Sequence, residues 1–204
     1  MRFFYTPRWL QALQPQYTWR VKNTSQTLFL TFDDGPIPEI TPFVLDTLAE
    51  FQAKATFFCV GDNIRKHPDI FEMLDKQGHT VGNHTFNHLN GWRTEDASYL
   101  ANISDCEACL PADSRLFRPP YGKIKQTQLK NIQDRYKIVM WDVLTYDFDA
   151  KLTPEACLQK TQKHTREGSI IVFHDSLKAS RNLRYVLPRY LEWAGKQGYK
   201  FERL

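Results

Sequence analysis

Short apolar runs alternate with helical patterns along the whole chain, and no other feature limits the fold as much. Strand-like runs occupy residues 27–33, 54–60, 79–83, 115–118, 136–142, 169–174 and 199–203. Helical patterns fill 39–51, 62–77, 94–110, 125–134, 153–166 and 180–197. Strands joined through helices return to the same end of a sheet, so they run parallel. Pro42 and Pro154 fall where a first helical turn tolerates proline, with Thr41 and Thr153 as N-caps. Gly78, Gly168 and Gly198 follow the expected helix ends.

A parallel sheet is either a closed barrel or an open doubly wound layer, and the placement of the reactive residues favours the barrel. Asp33 and Asp34 follow Leu28–Phe32, His84 follows Thr80–Gly82, Arg118 follows Leu116-Phe117, Asp142 follows Ile138–Trp141, and His174-Asp175 follow Ile170–Phe173. Barrel active sites gather at the C-terminal ends of the strands. The glycine-rich phosphate loop of the open folds is missing from the sequence.

Two of these clusters are incomplete alone and complete together. Adjacent carboxylates at a strand end repel, and a metal ion relieves this by taking one as ligand and leaving the other as a base. In His84-Thr85-Phe86-Asn87-His88 the histidines are four apart, and the spacing predicts a helical turn with both imidazoles on one face. Zinc proteases with this spacing carry a glutamate base between the histidines. Here Thr, Phe and Asn intervene, so the aspartate pair must supply the third ligand and the base. Two histidines and a carboxylate also suit a non-haem iron enzyme.

Composition narrows the class. The chain has 204 residues, enough for one sizeable core, with 42% hydrophobic and 25% charged residues and a net charge of +4. No lysine/arginine block points to nucleic acid. The first acidic residue is Asp33, whereas Arg2, Arg8, Arg20 and Lys22 lie before it among Phe3, Phe4, Tyr5, Trp9, Tyr17 and Trp19. The expected organisation is a basic, aromatic arm over 1–26, packed on a single domain over 27–204. No secretory signal or membrane span is visible, which leads to the expectation of a cytoplasmic protein. Cys106-Glu-Ala-Cys109 has no second pair to complete a zinc site, and with Cys59 and Cys157 it reads as free thiols in a reducing compartment.

In order along the chain, Thr31-Phe32-Asp33-Asp34-Gly35-Pro36, His84–His88, Arg118-Pro119-Pro120-Tyr121-Gly122, Trp141–Phe148 and Val172-Phe173-His174-Asp175 resemble the five motifs of the polysaccharide deacetylase family, the NodB-homology carbohydrate esterases. The resemblance implies a distorted (β/α)7 barrel and metal-dependent removal of acetyl groups from amino sugars. It implies Asp34, His84 and His88 as metal ligands, with Zn2+, or Co2+ or another divalent ion, as the metal. Asp33 resembles the catalytic base, and Arg118 the residue that orients it. The backbone N–H of Tyr121 resembles the oxyanion donor. His174 resembles the general acid that protonates the departing amine.

The fourth motif departs from the pattern. Leu144 and Phe148 replace an aspartate and a tryptophan, while Asp147 remains and is expected to support His174, with Asp142 and Asp175 as alternatives. In the fifth motif Val172 replaces a leucine. The expected substrate is peptidoglycan or chitin-type N-acetylglucosamine glycan. O-acetyl or non-sugar N-acyl hydrolysis on the same site is the near alternative, and a non-catalytic carbohydrate-binding protein the distant one.

Overall fold

The computed structural model describes residues 2–22 and 24–204. Eight strands are present among them: β1 (Thr27–Asp33), β2 (Ala55–Cys59), β3 (Thr80–Asn83), β4 (Leu116–Phe117), β5 (Lys137–Ile138), β6 (Val143–Leu144), β7 (Ile170–His174) and β8 (Lys200–Phe201). The helices are α1 (Arg8–Leu13), α2 (Thr41–Glu50), α3 (Gly61–Lys66), α4 (Pro68–Lys76), α5 (Asp96–Glu107), α6 (Gln126–Ile132), α7 (Pro154–His164) and α8 (Ser180–Lys196). The strand order is β5-β4-β3-β2-β1-β7-β6, all pairs are parallel, and β8 is added to the start of β1. This is the distorted (β/α)7 barrel. None of the described helices is long and apolar enough to cross a membrane.

Strand β1 is buried along nearly its whole length, as a central parallel strand must be. Its side chains alternate between two layers. Leu28, Leu30 and Phe32 join the large core under the helices, where Phe32 stacks on Phe57 and Phe173 with ring centroids 5.0 and 5.7 Å apart. Phe29 points the other way, into an interior cluster with Phe58, Leu116, Val139 and Ile170. Each fully buried aromatic contributes on the order of 2–3 kcal/mol. Register levels the strand tips: Asp33 pairs with Phe58 and His174, Cys59 with Asn83, and Asn83 with Phe117. Asp33, His84, Arg118 and His174 thereby share one rim.

At the barrel seam β5 and β6 end the strand order without pairing, and the N-terminal segment lies along it. Thr18 bridges Val139, Tyr5 bridges Val143 and Arg20 bridges Ser169. The amide of Thr6 donates to Asp142, and that of Leu144 to Phe4. Phe4 and Trp19 are buried there.

Several expectations need correction. The barrel's seventh strand is Val143–Leu144, not the C-terminal run, which forms only the two-residue β8. The single helix expected over 62–77 is two helices, because Pro68 forces His67 out of the helical region at φ −132°, ψ 57°. Helix α1 was not expected. Thr153 caps α7, accepting from Ala156, but Thr41 lies inside α2 and its hydroxyl donates to Asp175.

Candidate active site

The aspartates at the end of β1 have separate environments. Asp33 is 4% exposed, and Arg118 Nη1 donates to its Oδ1 at 2.6 Å. Arg118 is itself fully buried, with Nη1 also donating to Thr31 Oγ1, Nε to the Val139 carbonyl and Nη2 to that of Met140. Its guanidinium lies 4.1 Å from the Phe58 ring centroid. These bonds fix the guanidinium, and Nη1 in turn orients the carboxylate oxygen it meets.

Asp34 turns the other way, at φ 87°. Its Oδ1 lies 3.2 Å from His88 Nε2 and 4.0 Å from His84 Nε2. Asp34, His84 and His88 each offer one donor atom, all within 4.8 Å of one another. Burial alone would raise the Asp34 carboxyl, but the His88 hydrogen bond and the neighbouring imidazoles hold it well below the usual carboxylate range. His84 Nδ1 donates to the Arg118 carbonyl at 2.7 Å, and a carbonyl only accepts, so the proton sits on Nδ1 and the Nε2 lone pair faces the aspartates. Burial pushes His84 down to about 4, against the pull of Asp33, so the imidazole is neutral near pH 7. The donor set suits a divalent ion of zinc type: two imidazole nitrogens and one carboxylate.

The histidines do not lie on the helical turn that their spacing predicts. Thr85 and His88 have φ of 63° and 55°, and a β-branched residue there is strained. The loop is imposed from beneath. Asn83 Oδ1 accepts from Thr85 N, and Asn102 Oδ1 accepts from both Phe86 N and Asn87 N. Asp34 is held likewise: Asn63 Nδ2 donates to its carbonyl at 2.7 Å, and Asp175 Oδ1 accepts from Gly35 N at 3.0 Å. Sequence reasoning passed over Asn63, Asn83 and Asn102; of these only Asn83, directly before His84, carried a signal, since the other two lie far from the motifs they support. Positive φ at Tyr121 and Tyr146 adds to a group of strained non-glycine residues around this rim.

His174 Nδ1 lies 2.8 Å from Asp147 Oδ1, and His174 N donates to Asp147 Oδ2, also at 2.8 Å. Burial would lower this imidazole, but Asp147, by charge and hydrogen bond, outweighs it with help from Asp34 and Asp33, and His174 is raised to about 9. Phe148 meets the His174 ring edge-on at 4.8 Å. The Tyr121 hydroxyl lies 3.1 Å from His88 Nδ1. Asp142 is elsewhere, buried at the seam, accepting from Gln11, Arg166 and Ser169. Asp175 sits beneath the β1 turn, where burial raises it to about 8.

The rim therefore presents a triad able to hold a metal ion between an arginine-held carboxylate and a carboxylate-held imidazole, an arrangement suited to hydrolysis. Comparison with known proteins identifies its lineage. The polysaccharide deacetylase pattern matches residues 20–139, and the chain belongs to that family. It is 33% identical over 189 residues to a peptidoglycan-N-acetylglucosamine deacetylase of Bacillus cereus, covering 90% of this chain and 89% of the relative. A chitooligosaccharide deacetylase of Azorhizobium caulinodans is 35% identical over 163 residues, 76% of this chain and 77% of the relative. A crystal structure of a peptidoglycan N-acetylglucosamine deacetylase in complex with 4-naphthalen-1-yl-N-oxidanyl-benzamide superposes with a TM-score of 0.88 at 29% identity, covering 98% of this chain and 95% of that one.

Proposed function

We propose that this protein is a metal-dependent N-deacetylase of N-acetylglucosamine units in a peptidoglycan or chitin-type glycan. The observation that carries the reading is the flanking of the Asp34, His84 and His88 triad by two oppositely prepared groups, Asp33 with Arg118 and His174 with Asp147. The relatives named above act, by their descriptions, on N-acetylated glycans of these types.

A divalent ion held by Asp34, His84 and His88 would supply Lewis acidity, polarising the acetamide carbonyl and acidifying a water. Asp33, oriented by Arg118, takes the proton from that water as it attacks the carbonyl carbon. The backbone N–H of Tyr121 stabilises the oxyanion of the tetrahedral intermediate. An amine anion is too poor a leaving group to depart unaided. His174, protonated near neutral pH with Asp147 behind it, delivers a proton to the nitrogen as the C–N bond breaks. Acetate and a free amino sugar result.

Metal-stripped protein reloaded with Zn2+ or Co2+ is expected to release acetate from chitin oligosaccharides or peptidoglycan fragments, and chelation to stop it. Absence of acetate release with every metal and glycan would refute the reading.

A further inference from the structure

The N-terminal segment closes the seam with one side and leaves the other side apolar and uncovered. Among the described residues, large hydrophobic side chains are exposed at Phe3, Tyr5, Trp9, Leu13, Trp92, Tyr121 and Leu177, and four of these seven fall between residues 3 and 13. Side chains alternate around the bridge from Tyr5 to Val143: Phe4 and Thr6 are buried, while Phe3 and Tyr5 are exposed. Phe4 packs on Tyr146 with ring centroids 5.0 Å apart. In α1, Trp9 and Leu13 are four apart and share a helix face. That face is turned to solvent, with Trp9 66% and Leu13 71% exposed, and no residue of α1 is buried. Single exposed apolar residues are ordinary, but a group of four on one short segment marks a contact surface.

The same edge of the molecule is basic. Residues 1–26 hold Arg2, Arg8, Arg20 and Lys22 and no acid, so they account for the whole net charge of +4. The segment lies against the end of α7, where Tyr5 stacks on His164 with ring centroids 4.8 Å apart. That end of α7 adds Lys160 and Lys163, both exposed, and Arg166 follows it. Glu155 and Glu167 border this stretch, and no acid lies between them. Burial lowers the His164 imidazole, and the charges of Lys163 and Lys160 lower it further, which places both lysines close to the ring that Tyr5 covers. Arg8 is near enough to act on the Arg20 guanidinium. Arg2 is paired with Asp149, and Arg20 and Arg166 with Asp142. Arg8, Lys160 and Lys163 form no ion pair among the described residues.

We propose that Phe3, Tyr5, Trp9 and Leu13, together with Arg8, Lys160 and Lys163, form a docking surface for the face of an anionic lipid bilayer. Aromatic and leucine side chains enter the boundary between headgroups and acyl chains, and lysine and arginine meet the lipid phosphates. Either signal alone binds a membrane weakly, and this edge carries both. A second copy of the chain fits less well, because pairing the patch with itself would set unpaired cations against unpaired cations. None of the described helices is long and apolar enough to cross a membrane, so the contact belongs to the surface of the bilayer. The docking is independent of the deacetylase reading, because none of these residues belongs to the rim.

The test uses the full chain and two kinds of vesicle, one of phosphatidylcholine and one with about 30% phosphatidylglycerol added. Co-sedimentation is expected to show at least about tenfold tighter binding to the anionic vesicles, falling as NaCl rises from about 0.05 to about 0.5 M. Lys160→Glu with Lys163→Glu, and separately Trp9→Ser with Leu13→Ser, should each weaken that binding about tenfold. Brominated acyl chains should quench part of the tryptophan fluorescence, and Trp9→Phe should keep the binding while losing that part. Circular dichroism checks that each variant is folded. Equal binding to the two kinds of vesicle, no binding to either, or binding unchanged in both paired variants would overturn the proposal. A dimer that ignores vesicles and comes apart in the Trp9→Ser, Leu13→Ser variant would also overturn it, and would make the patch an interface between copies.

Discussion

Asp33 and Asp34 are adjacent in sequence yet differ in their nearest partner: one faces the Arg118 guanidinium, the other the His88 ring. Their proposed roles can therefore be separated by substitution. Asp33→Asn should retain metal, measured by elemental analysis, while the rate falls roughly 10²–10⁴-fold. His84→Ala should lose both metal and activity. Loss of metal from Asp33→Asn would show that the two aspartates have been assigned in the wrong order. His174 permits a pH prediction. With its imidazole raised to about 9, the acid form persists through neutral pH and is lost above pH 9. Asp147→Asn removes the charge that outweighs burial, so the basic limb of the pH–rate profile should move to lower pH while metal content is unchanged. An unmoved basic limb would remove Asp147 from the proposed role.

At the scale of elements, the end of β7 supports the end of β1. Asp175 accepts from Gly35 N and Thr41 Oγ1, and its own amide donates to the Asp33 carbonyl. Burial raises Asp175 to about 8 from 3.8, so the native state binds a proton there that the unfolded chain releases above pH 4. His174, raised to about 9 from 6.5, acts in the same direction: its contribution is complete below 6.5 and lost on the way to 9. Each folded pKa exceeds its unfolded value, so stability falls as pH rises through these windows. Thermal melts of metal-free protein are expected to show a decline from about pH 4 to 9, steepest between about 6.5 and 8 where both groups contribute, and Asp175→Asn to flatten it; a variant melting in parallel with the parent would count against the account.

These elements were unevenly legible in the sequence. Long strands such as β1 and β7 announce themselves by apolar runs, and the Asp33–Asp34 and His84–His88 spacings mark reactive residues. Two-residue strands such as β6 lack a period to read, because their pairing is decided by neighbours rather than by their own side chains. The histidine loop misleads for a related reason. A spacing of four favours a helix when local propensity decides, but here Asn83 and Asn102, one of them far along the chain, impose left-handed residues. Arg118 was identifiable only through its motif, since nothing in one arginine foretells full burial.

For the molecule as a whole, the seam between β5 and β6 is the place where seven strands fail to close by their own hydrogen bonds. The N-terminal segment supplies the missing bridges at Tyr5, Thr18 and Arg20. Asp142 anchors this repair, fully buried and accepting from Gln11 on the arm and from Arg166 and Ser169 beside β7. Asp142→Ala would strand those donors and should cost roughly 3 kcal/mol, read as a lowered midpoint in urea. Hydrogen exchange at Thr6 and Thr18 should quicken before that of β1, showing that the arm loosens first. Uniform exchange across the molecule would instead make Asp142 a general core residue.

Arg118 enters the rim twice, by its main-chain carbonyl to His84 and by its guanidinium to Asp33. Every amino acid offers the same carbonyl, and only arginine offers that fork. Genetic drift at this one codon would therefore act on the two halves unequally. A lineage that exchanged the arginine would keep the ring orientation of His84 while losing its grip on Asp33. Descent from a hydrolase to a metal-holding glycan receptor needs few steps when the parts are inherited in this way, and a census of position 118 across related genomes would show how often the step was taken.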